Sequence, residues 1–176
     1  MWKWVLIVIG ALVGLVALMA VIGLFLPKDH VASTGVVLHQ SPDSIWKTMR
    51  DLAGQPAWWP EILESRPVPD SAGREVWDQK MKNGFTMRSI VTVSTPPTRF
   101  VTLIDSPPGA AFGGSWTYEI RPVPEGSRVT ITEDGWVANP IFRFLSRFVF
   151  GHHGTQVAYL TALGRKYGET VQPVRQ

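Results

Sequence analysis

Glu133 and Asp134 adjoin near the end of a predicted strand and are the first candidates for proton chemistry. Strict alternation puts Glu133 on the face of Val129 and Ile131. A carboxylate buried there, with its pKa raised, can act as general acid or base. Gly135 follows at once and invites a bulge, which would leave the pair in solvent. Asp105 and Glu119 carry the same two readings. His152 and His153 are adjacent, so on a helix they point about 100° apart. They cannot share one metal in the i, i+4 manner, and His30 and His39 add no complementary spacing. His152 falls on an apolar stripe, either as a core histidine or as a polar contact to a ligand. Cysteine is absent, which excludes disulfides, thiolate metal sites and a cysteine nucleophile. No GxSxG, P-loop or dinucleotide fingerprint occurs. Phe112-Gly113-Gly114 has no helix after it and so is no phosphate cradle. Neither a metal nor a cofactor is expected.

The elements that must position these residues follow from pattern. Val31 to His39 is β-like. Ser41 as N-cap, Pro42 at the first helical position and Asp43 in the first turn start a helix. Ile45, Trp46, Met49, Leu52 and Ala53 continue it, and Gly54 stops it. Gln55 to Ile62 is a short second turn of helix. Strands are predicted over 63–68, 74–81, 85–94, 99–105, 115–121 and 128–137, with a hairpin at Lys82-Asn83-Gly84 and a loop over 106–114. Asn139 and Pro140 open a long closing helix whose stripe runs through Ile141, Phe144, Leu145, Phe148, Val149, His152, Tyr159 and Leu163. Arg143, Arg147, Arg165 and Lys166 lie mostly on its other faces. Gly151 and Gly154 predict a kink near His152. The economical packing is a curved antiparallel sheet with the long helix across its concave side, an α+β architecture.

Ahead of all this stands Trp4 to Leu26, which has no charged side chain. As a helix it is roughly 34 Å long, enough to cross a bilayer core of about 30 Å. It exceeds the h-region of a signal peptide, and its best small-residue site, Ala17 to Ala20, has Leu18 at the −3 position. It is therefore read as an uncleaved, single-pass anchor. The chain divides into an anchor at 1–27, one domain at 28–170 and a loose tail at 171–176. Gly10 and Gly14 form a GxxxG that offers a weak homodimer contact. Trp2 and Trp4 fit an interfacial belt. Lys3 and the α-amino group face Lys28 offset by Asp29, a near tie that tilts slightly toward an extracytoplasmic domain. Net charge is +3 over 176 residues, one unit of it from Lys3. No basic run carries interleaved aromatics, so nucleic acid is not a partner.

Several strings resemble the polyketide cyclase/dehydratase-like (SRPBCC) branch of the START-like superfamily, with its helix-grip fold. They are SPDSIWKTMRDL (41–52), PAWWPEI (56–62), FGGSWTYEI (112–120), VTITEDGWVANPIFRFLSRFVFG (129–151) and the closing YLTALGRKYG. The resemblance covers roughly residues 31–168 and leaves the anchor outside. It implies a cavity between sheet and long helix. The residue types suit an apolar ligand, with lining candidates Trp58, Trp59, Trp77, Phe85, Met87, Trp116, Tyr118, Phe144 and Phe148. Singly, each aromatic is more readily a core residue, and it is as a set that they suit a cavity. Trp58 and Trp59 have a further reading as indoles at the cavity entrance that dip into the membrane interface. Three functions follow: a membrane-anchored binder or carrier of a hydrophobic small molecule such as a lipid or isoprenoid; a membrane-bound cyclase or dehydratase, with Glu133, His152 and Tyr118 as its loose catalytic candidates; or a ligand-free interaction or sensor module whose aromatics fill the interior.

Overall fold

The computed structural model describes residues 1–70 and 72–176. Helix α1 (Trp2–Phe25) comes first. Strand β1 (Asp29–Leu38) leads into α2 (Pro42–Arg50) and a 3-10 turn at Gln55–Ala57. Then come β2 (Ile62–Val68), β3 (Glu75–Met81), β4 (Thr86–Thr95), β5 (Arg99–Ile104), β6 (Phe112–Val123) and β7 (Gly126–Val137). Helix α3 (Pro140–Leu145), a π-helical turn (Ser146–Phe150), α4 (Gly154–Lys166) and β8 (Val174–Arg175) close the chain.

The strands form one antiparallel sheet in the order β2-β3-β4-β5-β6-β7-β1-β8. Hairpins join β2 through β7 in sequence, and β1 lies beside β7. Register shifts between Ile62 and Glu64 and between Val91 and Val93 add local twist and curvature. Helix α4 buries Gln156, Tyr159, Leu160 and Leu163. Its apolar members share one core with Ile45 and Met49 of α2 and with Phe100, Ile120, Val129 and Ile131 of the sheet. Gln156 ties α4 to β1. Its Nε2 donates to the Ala32 carbonyl at 2.9 Å, and its Oε1 accepts from the Thr34 hydroxyl at 2.6 Å. This is the curved-sheet, helix-grip architecture expected from the order of elements.

The caps act as their residue types require. Ser41 Oγ accepts from the Ser44 N–H at the start of α2, and Asn139 Oδ1 accepts from the N–H groups of Ile141 and Phe142 at the start of α3. The long closing helix is broken rather than kinked. Gly151 has φ 70°, a left-handed conformation that a side chain would strain, and it separates the π turn from α4. Arg143, expected off the apolar stripe, is buried. Its Nη1 donates to the Leu26 carbonyl and its Nη2 to the Ala138 carbonyl, each at 3.0 Å. The segment 106–114, expected as loop, is strand from Phe112 onward. The C-terminal residues are also placed: Val174 and Arg175 pair with Gly35 and Thr34, and the Glu169 carboxylate accepts from the His39 backbone N–H.

Helix α1 is long and apolar enough to cross a membrane. Gly23 is its one buried residue, because a Cβ there would run into the backbone of Pro140.

Candidate functional site

Register brings the site together. Trp116 on β6 stands opposite Thr102 on β5 and Glu133 on β7. Tyr118 stands opposite Phe100 and Ile131. Side chains two residues apart on a strand share a face, so Trp116, Tyr118 and Ile120 make one inward row and Glu133, Ile131 and Val129 make the next. The pairing of β7 with β1 and β6 runs without a shift through Gly135. Glu133 therefore faces the interior, and Asp134 is exposed.

These rows bound an interior cavity of about 180 Å³. Its apolar walls include Leu52, Trp59, Met81, Met87, Ile104, Phe112 and Trp116. One side is polar. Gln79 Nε2 donates to Gln55 Oε1 at 2.6 Å, and the Ser89 hydroxyl donates to Gln79 Oε1 at 3.2 Å. All three residues are buried. Trp59 Nε1 is a buried donor with no partner among the described residues. An unpaired buried donor costs about 1–3 kcal/mol, and nothing among the described residues offsets that cost for this N–H.

Glu133 borders a second depression of about 190 Å³ that also has Ile104, Phe112 and Thr155 in its wall. There Glu133 Oε1 lies 3.3 Å from His30 Nε2. The His30 ring stacks on His152 with centroids 4.0 Å apart. The His152 pKa is lowered, first by burial and then by the neighbouring His30. The Tyr118 hydroxyl is pushed above the ordinary range by burial, so it stays protonated. Among the described residues, no group of three or more His, Asp and Glu is arranged to hold a metal ion.

Of the lining candidates named from sequence, Trp59, Met87, Trp116 and Tyr118 border the cavity, as does Glu133. The others lie elsewhere. Trp58 packs edge-on against Tyr159, as Trp59 also does, at centroid distances of 5.1 and 4.7 Å. The pair thus leans on α4. Trp77 Nε1 donates to Glu75, whose carboxylate is gripped by Arg50. Phe85 is exposed and touches Phe112. Phe144 and Phe148 pack on each other at 5.0 Å, with Phe148 facing outward. Gln55 and Gln79 also line the cavity and are not among the candidates named from sequence. The signal for Gln79 was its place two residues from Trp77 and Met81 on the same face of β3. Gln55 sits in a 3-10 turn and gave no periodic signal. His30 was missed as a partner of Glu133 because only the β1–β7 register joins them.

A larger depression, about 610 Å³, runs along the β1 edge and the C-terminal segment. Its one carboxylate, Glu169, is already engaged by the backbone N–H and ring of His39. The interior cavity, with apolar walls, a polar side and the unpartnered Trp59 N–H in a lining residue, is the better site.

Residues 29–156 match the family described as polyketide cyclase / dehydrase and lipid transport. The chain belongs to that family. Solved structures agree on the fold. The di-domain ARO/CYC StfQ from the steffimycin biosynthetic pathway has 14% identity and a TM-score of 0.61, covering 80% of this chain and 52% of that one. This chain thus spans about half of that relative's length. A START superfamily protein from Mycobacterium smegmatis has 20% identity and a TM-score of 0.58, covering 78% and 96%. The protein XoxI from Bacillus cereus has 18% identity and a TM-score of 0.56, covering 80% and 96%. At such identities the likeness speaks for the fold alone. No curated protein matches the chain.

Proposed function

We propose that this family member is a membrane-anchored binder or carrier of a hydrophobic small molecule. The observation that carries the reading is the interior cavity: aromatic and aliphatic walls, one buried polar ladder at Ser89–Gln79–Gln55, and an unpaired Trp59 N–H. Such a site suits an amphiphile with an apolar body and one oxygen acceptor, since pockets take orientation from a few polar groups and affinity from apolar burial. A lipid or isoprenoid alcohol, ketone or ester meets that description. At about 180 Å³ the interior holds only part of such a molecule. The rest fits along the adjoining depression past Glu133 and His30. Helix α1 serves as a single-pass anchor for the domain at 28–170. The Lys3 and α-amino charges at its start favour placing the domain on the extracytoplasmic side.

A photoreactive fatty alcohol with a diazirine near the hydroxyl tests this on the full chain in nanodiscs. Adducts on Trp59, Met87 or Trp116 are expected. Adducts confined to α1 would contradict an interior site.

The His30–Glu133 contact at the cavity wall favours one second reading, a cyclase or dehydratase that moves a proton through Glu133. It predicts that Glu133→Gln abolishes turnover of a bound substrate without weakening its binding. The carrier reading predicts that this substitution alters affinity alone.

A further inference from the structure

Between β7 and α4 the chain exposes four large apolar side chains within nine residues. Phe142, Phe148, Val149 and Phe150 are 54%, 60%, 61% and 69% exposed. Scattered single apolar residues on a surface need no explanation, but a group this dense does. The segment is held to the end of α1 by two independent contacts. Gly23 lets α1 approach the Pro140 backbone closely, and Arg143, itself buried, donates to the Leu26 carbonyl.

Depth follows from helix geometry. With Trp4 at one interface, Gly23 lies roughly 28 Å further along α1 at ~1.5 Å per residue, against a hydrocarbon thickness of about 30 Å. Whatever docks at Gly23 sits at the opposite boundary of the hydrocarbon. The neighbouring depression, of about 380 Å³, has the exposed Lys28 and Arg147 in its wall, with the buried Arg143 behind them, against the single carboxylate of Asp29. Cations at that depth meet lipid phosphates. The same depression has His30 and His152 in common with the one that leads to the cavity, and the latter is also bounded by Ser146 and Gly151 at the ends of the π turn.

We propose that the segment from Pro140 to Phe150 is a second membrane-contacting surface, its aromatic side chains immersed in the bilayer interface beside the exit of α1. The passage toward the cavity then opens onto lipid, and its guest enters from the leaflet. This rests on the reading of α1 as an anchor.

The absence of cysteine makes the test direct, because single introduced cysteines carry a fluorophore without background. Three full-length variants are labelled with a nitrobenzoxadiazole dye: Val149→Cys on the surface, Val13→Cys in α1, and Glu125→Cys in the exposed turn at the far end of β7. Each is reconstituted in phosphatidylcholine and phosphatidylglycerol vesicles, with and without nitroxide-labelled acyl chains. The expected result is loss of most of the fluorescence at positions 13 and 149, and little loss at 125. Quenching at 13 with position 149 behaving like 125 overturns the proposal and leaves the anchor standing. A blue-shifted but unquenched label at 149 also overturns it, since a protein surface, such as a second copy of the chain, then covers the patch. No quenching at 13 removes the anchor and the proposal together.

Discussion

Tyr159 is the hub of the aromatic interior, with Trp58, Trp59, Trp116 and Tyr118 arranged around it at centroid distances of 4.7 to 6.4 Å. Its hydroxyl is buried without a partner among the described residues, and burial raises its pKa far above the ordinary value. Tyr159→Phe removes an unsatisfied group and keeps the ring. Thermal or denaturant melts should find it neutral or stabilising by up to ~1 kcal/mol. A loss of that size would show that the hydroxyl has a partner. Trp116 is different, being half-buried at the cavity wall. Trp116→Ala is expected to weaken guest binding by about tenfold or more. Its destabilisation should stay below the ~3–5 kcal/mol of a fully buried aromatic. Equal losses of affinity and stability would make Trp116 a core residue and nothing more. His152 gives a pH dependence. Its folded pKa is depressed, so between that value and the unfolded value of 6.5 the unfolded chain binds more protons. Stability is therefore lost as pH falls from about 6.5 and is fully present above it. Replacing His152 by Gln should flatten the melting temperature over that window; an unchanged pH profile would assign the dependence to another group.

At the scale of elements, the close approach at Gly23 joins α1 to α3. Gly23→Val puts a branched side chain against the Pro140 backbone and takes the Leu26 carbonyl from Arg143. Spin labels at Leu24→Cys and Phe142→Cys should then change from a short, narrow distance distribution to a longer, broad one. An unchanged distribution would mean the two helices meet through other contacts. Much of this level was legible in the sequence. Ser41-Pro42 and Asn139-Pro140 announce helix starts through local hydrogen-bond chemistry, and the alternation of Trp116, Tyr118 and Ile120 announces a half-buried strand. The sequence predicts one closing helix with a kink near His152, because its apolar stripe continues through the π turn; the structure has a full break there. One left-handed glycine at 151 overrides that periodicity. The burial of Arg143 was illegible for a different reason: its partner, Leu26, is 117 residues away.

On the scale of the whole molecule, the curved sheet with a helix across it could be read from the order of elements and the helix-grip fold from the family resemblance, and half of the cavity could not. Trp59, Met87, Trp116 and Tyr118 follow from type and alternation. Gln55, Gln79 and the His30–Glu133 contact arise only when the sheet curves and distant strands register. In the proposed function, α1 tethers this interior to a bilayer. Alkaline carbonate should therefore leave the full chain in the membrane fraction, whereas recovery as a soluble, N-terminally shortened form would identify 1–27 as a cleaved signal. In the proposed function the cavity holds a hydrophobic guest. Native mass spectrometry tests it most directly, with the full chain released from detergent micelles and its bound lipids then extracted. A one-to-one apolar adduct that Trp116→Ala loses is the expected result. A bare mass that stays bare after incubation with membrane extract would contradict it.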